Sequence, residues 1–219
     1  MCMLAYKFRS STQIPFALDI ILKRRLYCAD WQSLNDIVEG TIVMSSWPER
    51  AKEFQAHGKA VQKFMQRLRV CSLSLTFDSH LLWAHYASAW DGLALEIEIP
   101  DSSPELHKVE YGGFMCVVDP DSHTVAEDAI RVLSNKHLEW AYEREVRIIT
   151  SSEWFNLSSP VRRIIVGSRM NPAMLEALQI ICETKNITLA RTGIGDEGID
   201  ADYVRPIKPT THDWSREMP

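Results

Sequence analysis

The segment W-A-Y-E-R-E-V-R-I-I-T at residues 140–150 constrains the fold of this chain more than any other stretch. A β-strand points successive side chains to opposite faces, so Glu143, Glu145 and Arg147 are expected on one face of a strand running into Ile148 and Ile149. Two carboxylates at i and i+2 repel, and a neighbouring arginine offsets part of that repulsion. Such a face is not an ordinary hydrophobic one. Either the trio is a structural ion cluster, pairing with Lys136, Arg9 or itself, or it is a site.

The surrounding pattern supplies a core for that strand. Met3 to Phe8 reads as a first strand, and Ser11 or Thr12 caps a helix to about Arg25, with Pro15 in its first turn. Leu26 to Ala29 is a short strand, Trp31 to Gly40 a loop, and Ser46 with Pro48 and Glu49 opens a helix to about Leu68. Arg69 to Thr76 alternates, with Cys71, Leu73 and Leu75 facing one way and Val70, Ser72 and Ser74 the other. A short helix over 79–89 carries Trp83, His85 and Tyr86, and Leu93 to Ile99 is a strand. Thr124 to about Tyr142 reads as one helix feeding the charged strand. Strand Val161–Val166, a helix from Asn171-Pro172 to Asn186, and strand Ile187–Thr192 follow.

Strands and helices alternate without a regular βαβ rhythm, which predicts an α+β fold: one domain over 1–207, a split or mixed, largely antiparallel sheet flanked by helices, and a C-terminal tail over 208–219. The 219 residues are 46% hydrophobic and carry a formal net charge of −5, so no global basic field draws in nucleic acid or an anionic membrane. Cysteines at 2, 28, 71, 116 and 182 show no CxxC spacing, and no run has the length of a membrane span, so a reducing cytoplasmic location is expected.

Taken in order, Y-K-F-R, N-D-x-x-E-G, S-L-S, W-A-H-Y-A followed by G-L-A-L-E, and K-x-x-x-W-x-x-E-x-E-x-R resemble a bacterial and phage family catalogued as domain of unknown function 2971, over roughly residues 4 to 150. The chain departs from that pattern where Ile37 and Val38 follow Asn35-Asp36. A defence or toxin setting is compatible with this resemblance. The order arginine, serine, paired glutamates also resembles the arginine-serine-glutamate class of mono-ADP-ribosyltransferases. That resemblance implies an ADP-ribosyltransferase-like split sheet and NAD as substrate. Arg9 would lie on the phosphate side, Ser72 and Ser74 would shape the nicotinamide pocket, Glu145 would bind the nicotinamide ribose, and Glu143 would orient or deprotonate an acceptor. Trp83 or Tyr86 would stack on the nicotinamide ring, with Arg147 beside the paired glutamates; no resident metal is expected.

Two other readings stay open from the residues alone. The same charges suit a noncatalytic nucleotide-binding or protein-interaction module. Alternatively, Asp36 and Glu39 could join Glu143 and Glu145 in a carboxylate cluster for Mg²⁺, as in a phosphodiesterase or nuclease.

Overall fold

In the computed structural model, which describes residues 1–44, 48–113, 115–193, 196, 198–199 and 205–206, strand β1 (Cys2–Arg9) lies centrally in the main sheet. Strands β2 (Arg25–Tyr27) and β3 (Ala29–Asp30) divide the single strand expected at 26–29. They are followed by β4 (Ile42–Met44), β5 (Arg69–Ser74), β6 (Leu93–Pro100), β7 (Leu106–Lys108), β8 (Glu110–Gly112) and β9 (Cys116–Val118). The later strands are β10 (Asn135–His137), β11 (Glu145–Thr150), β12 (Trp154–Asn156), β13 (Arg163–Val166), β14 (Thr188–Arg191) and β15 (Arg205–Pro206). Helices α1 (Ile14–Lys23), α2 (Ala51–Met65), α3 (His80–Tyr86), α4 (Val125–Leu133) and α5 (Pro172–Lys185) complete the elements that matter here.

The main sheet has the order β15-β14-β13-β6-β1-β5-β11-β7, with β3 also beside β5. It is largely antiparallel; β13 and β14 form its parallel pair, joined through α5. Local chemistry sets the helix ends. Thr124 and Glu127 close a capping box on α4, while Asn171 caps α5 ahead of Pro172 and Asn186 ends it in the left-handed conformation.

Ile14, Ala17, Ile20 and Ile21 of α1 bury one helical stripe against Ala5, Leu95 and Ile97 of the sheet, with Leu178 and Cys182 of α5 in the same cluster. On another part of the sheet, Trp83 packs with Phe8, Phe77 and Ala94. A third cluster holds Val61 and Met65 of α2 and Val132 and Leu133 of α4 against Val70 and Ile149. Among the described residues no helix is long and apolar enough to cross a membrane.

One discontinuity positions the site. Strand β1 follows β6 along its whole length, from Cys2↔Pro100 to Arg9↔Leu93, but it is in register with β5 at one pair, Tyr6↔Ser74. Further down β5 the vacated edge is taken by β3, at Ala29↔Val70 and Asp30↔Arg69. The wedge left between β1 and the 27–35 segment exposes the backbone of Ser72, whose carbonyl accepts a 2.7 Å hydrogen bond from the Lys7 ammonium.

The structure corrects the single helix expected over 124–142. Helix α4 stops at Leu133, Asn135–His137 becomes β10, and Leu138–Glu143 is a 3₁₀ helix. Strand β10 pairs in parallel with β8, placing Lys136 opposite Tyr111. Glu143 therefore ends the 3₁₀ helix and does not share the strand with Glu145, which begins β11. The expected tail at 208–219 lies outside the described residues.

Trp83 is fully buried, donates its indole N–H to the Phe77 carbonyl at 2.6 Å, and stacks on Trp90 with centroids 5.5 Å apart. Trp83→Ala is expected to cost about 3–5 kcal/mol, read as a lower urea midpoint at unchanged slope; a loss under about 1 kcal/mol would contradict this packing.

Candidate functional site

The wedge between β1 and β5 is a cavity of about 490 Å³. Lys7, Arg9, Ser72, Ser74, Tyr86, Glu143 and Glu145 all line it. Of the residues singled out from the sequence, Trp83 and Arg147 do not. Trp83 belongs to the core, because its indole is satisfied by Phe77 and its ring by Trp90 and Phe8. Arg147 is 1% exposed and lies beneath Glu145, where it cannot reach a ligand directly.

Lys136 and Arg147 organise the carboxylate end. The Lys136 ammonium lies 2.5 Å from Glu143 Oε2, 2.9 Å from Glu145 Oε2 and 3.4 Å from Glu39 Oε1. Arg147 clasps Glu145 through Nε at 2.8 Å and Nη2 at 3.1 Å, reaches Glu39 Oε2 at 2.6 Å, and donates to the Leu133 carbonyl at 2.6 Å. Three carboxylates and two cations thus share a space whose side chains are all at most 6% exposed. Charges buried to this degree are tolerated when paired and hydrogen-bonded.

Two backbone features deliver the partners. Arg144 adopts a left-handed conformation (φ 45°, ψ 52°), which turns the chain between Glu143 and Glu145 so that both carboxylates reach Lys136. Glu39 precedes Gly40, whose φ is +77° and where an added Cβ would lie 2.3 Å from a Trp31 ring carbon. Only glycine suits both demands, so the E-G of N-D-I-V-E-G sets the loop that carries Glu39 inward.

The carboxyls are driven apart in acidity. Burial opposes ionisation of Glu145, but Arg147 and Lys136 more than reverse it and hold its pKa at about 2. The Ser72 hydroxyl also donates to Glu145. Burial dominates at Glu143 and raises its pKa, even though Lys136 and a 2.6 Å hydrogen bond from the Tyr86 hydroxyl both favour the anion. Glu39 is raised likewise by burial. Burial works against the charge of Lys136, and Glu145, Glu143 and Glu39 together lift its pKa above the ordinary value.

The other end of the cleft is cationic. Desolvation lowers the pKa of both Lys7 and Arg9. Arg9 Nε is buried without a hydrogen-bond partner among the described residues, and the one side-chain bond it makes runs from Nη1 to the Phe8 carbonyl at 3.5 Å. A guanidinium left in that condition is a ready receptor for an anion. Ser74 has a different place from the one expected: its hydroxyl donates to the Glu143 carbonyl at 2.6 Å and accepts from Thr76 N–H, so it ties β5 to the end of the 3₁₀ helix.

Asp36 accepts from Val38 N–H in a turn, and the oxygens of Glu39 face Lys136 and Arg147. The loop does bring Glu39 to Glu143 and Glu145, but cationic side chains join these carboxylates. Among the described residues no group of His, Cys, Asp and Glu has the arrangement of a metal site. Comparison of the chain with protein-family models, with curated proteins and with solved structures gives no match.

With its folded pKa at about 2 against an ordinary 4.5, Glu145 contributes stability that is fully present above about pH 4.5 and is lost as pH falls towards 2. Glu145→Gln is expected to be about 1.5–3 kcal/mol less stable at pH 7 and to show a shallower loss over that window, by urea melts at stepped pH. Parallel curves for the two proteins would show that Glu145 does not titrate as its surroundings dictate.

Proposed function

We propose that this cleft binds NAD and breaks its nicotinamide–ribose bond, passing ADP-ribose to an acceptor or to water. The observation that supports this reading is that Arg9, Ser72 and Glu145, which come from three different strands, meet in one open cleft with cations at one end and a fixed carboxylate at the other. Bond cleavage sends the C–N electron pair to nicotinamide and leaves positive charge on the ribose. A carboxylate already ionised and immobile stabilises that charge more than it stabilises the ground state.

Glu145 suits that role. Its Oε1 carries the Arg147 Nε contact and keeps a lone pair for a ribose hydroxyl. Glu143, with its raised pKa, is the nearby group to accept the proton that the attacking water or acceptor gives up. Lys136 and Arg147 act as positioning residues through the two glutamates. Arg9 and Lys7 meet the diphosphate, and Tyr86, fixed by Glu143, borders the nicotinamide. The ADP-ribosyltransferase-like character of the opened sheet belongs to the same proposal, as does membership of the family of unknown function that the sequence resembles.

Purified protein incubated with NAD is expected to release nicotinamide, followed by chromatography, and Glu145→Gln to release it at least about 100-fold more slowly while still folding and binding NAD. A wild-type protein that neither releases nicotinamide nor binds NAD by calorimetry contradicts the proposal. So does an unchanged rate in the variant.

A further inference from the structure

The cleft wall facing β1 carries an aromatic side chain that the chemistry above does not use. Tyr27, the last residue of β2, lines the cleft and is 39% exposed. It is nevertheless held firmly in place. Strand β2 pairs Tyr27 with Trp154 of β12, and the two rings meet at 5.3 Å in an edge-on contact. The Arg25 guanidinium lies 3.6 Å from the centre of the Trp154 ring and is anchored by Asp19 at 3.0 Å. Between Arg25 and Tyr27, Leu26 is fully buried in the main core and fixes the strand. The phenol ring is therefore exposed yet clamped, and a ligand stacking on it has little side-chain entropy left to quench.

The other aromatic lining residues are committed elsewhere. Tyr6 and Phe8 are buried, and the Tyr6 hydroxyl donates to Glu96. Tyr86 is tied to Glu143, and His85 hydrogen-bonds to Tyr142, which places both at the carboxylate end. A dinucleotide with one ribose at Glu145 and its phosphates at Lys7 and Arg9 carries a second base away from that end.

Building on the nucleotide reading above, we propose that Tyr27, clamped by Trp154 and Arg25, is the stacking platform for the adenine base of the bound nucleotide. Tyr27 then sets the preference for dinucleotides over mononucleotides that lack the purine. It takes no part in bond cleavage.

Calorimetric titrations of NAD, AMP and nicotinamide mononucleotide into wild type, Tyr27→Ala and Tyr27→Phe separate the possibilities. Removing the ring is expected to weaken NAD and AMP about tenfold, within the range for one stacked base, and to leave nicotinamide mononucleotide unchanged. Tyr27→Phe keeps the ring and is expected to bind all three within about twofold of wild type. Equal AMP affinity in wild type and Tyr27→Ala overturns the platform and leaves the NAD reading standing. A wild type that binds none of the three overturns the NAD reading, and the platform with it.

Discussion

The ammonium of Lys136, held between Glu143 and Glu145, is the contact on which the rest of the candidate site depends. Without it, two carboxylates two residues apart would face each other in a space nearly closed to water, where a buried pair shares a proton instead of both members ionising. With it, and with Arg147 beneath, Glu145 stays charged at any ordinary pH. The cations and carboxylates also join segments far apart in the chain: the loop ending at Gly40, strand β10, the 3₁₀ helix and strand β11. A charge network of this kind fixes geometry more than it adds net stability.

The second constraint is the divergence of β1 from β5. A continuous antiparallel pairing would close the sheet and satisfy the Ser72 carbonyl from the β1 backbone. Pairing stops instead at Tyr6↔Ser74, and the Lys7 side chain takes over as donor. That exchange opens a cavity in the middle of the largest sheet, with rigid strands on its floor and on one wall. Residues held on strands keep their positions better than residues on loops. The desolvated Arg9 is the feature that the fold alone does not explain.

Much of this was legible in the sequence, for identifiable reasons. Strands β1, β5, β6, β11 and β13 show alternation or continuous apolar runs, and α1 and α5 carry Pro near their starts. Helix α4 was extended too far because Leu138 and Ala141 continue a helical apolar spacing. Ser134 and Asn135 were the stop signal, and burial of the Lys136 ammonium overrode propensity by pulling 135–137 into a parallel pair with β8. Trp83 was assigned to the cleft on residue type, but its helix turns the ring into the core. Lys136 lay in plain view within K-x-x-x-W-x-x-E-x-E-x-R. Its central place could not be read there, since nothing local shows that a lysine eleven residues from Arg147 folds back between two glutamates. Glu39 was rightly grouped with those glutamates, but the partners that hold the group together are Lys136 and Arg147.

The most direct measurement is a crystal structure of the Glu145→Gln protein with NAD. The nicotinamide ribose is expected within hydrogen-bond reach of residue 145, with the diphosphate against Arg9 and Lys7 in the opening between β1 and β5. A nucleotide bound elsewhere, or an opening left empty at saturating NAD, would contradict the assignment of this cleft and return the buried charges to a purely structural role.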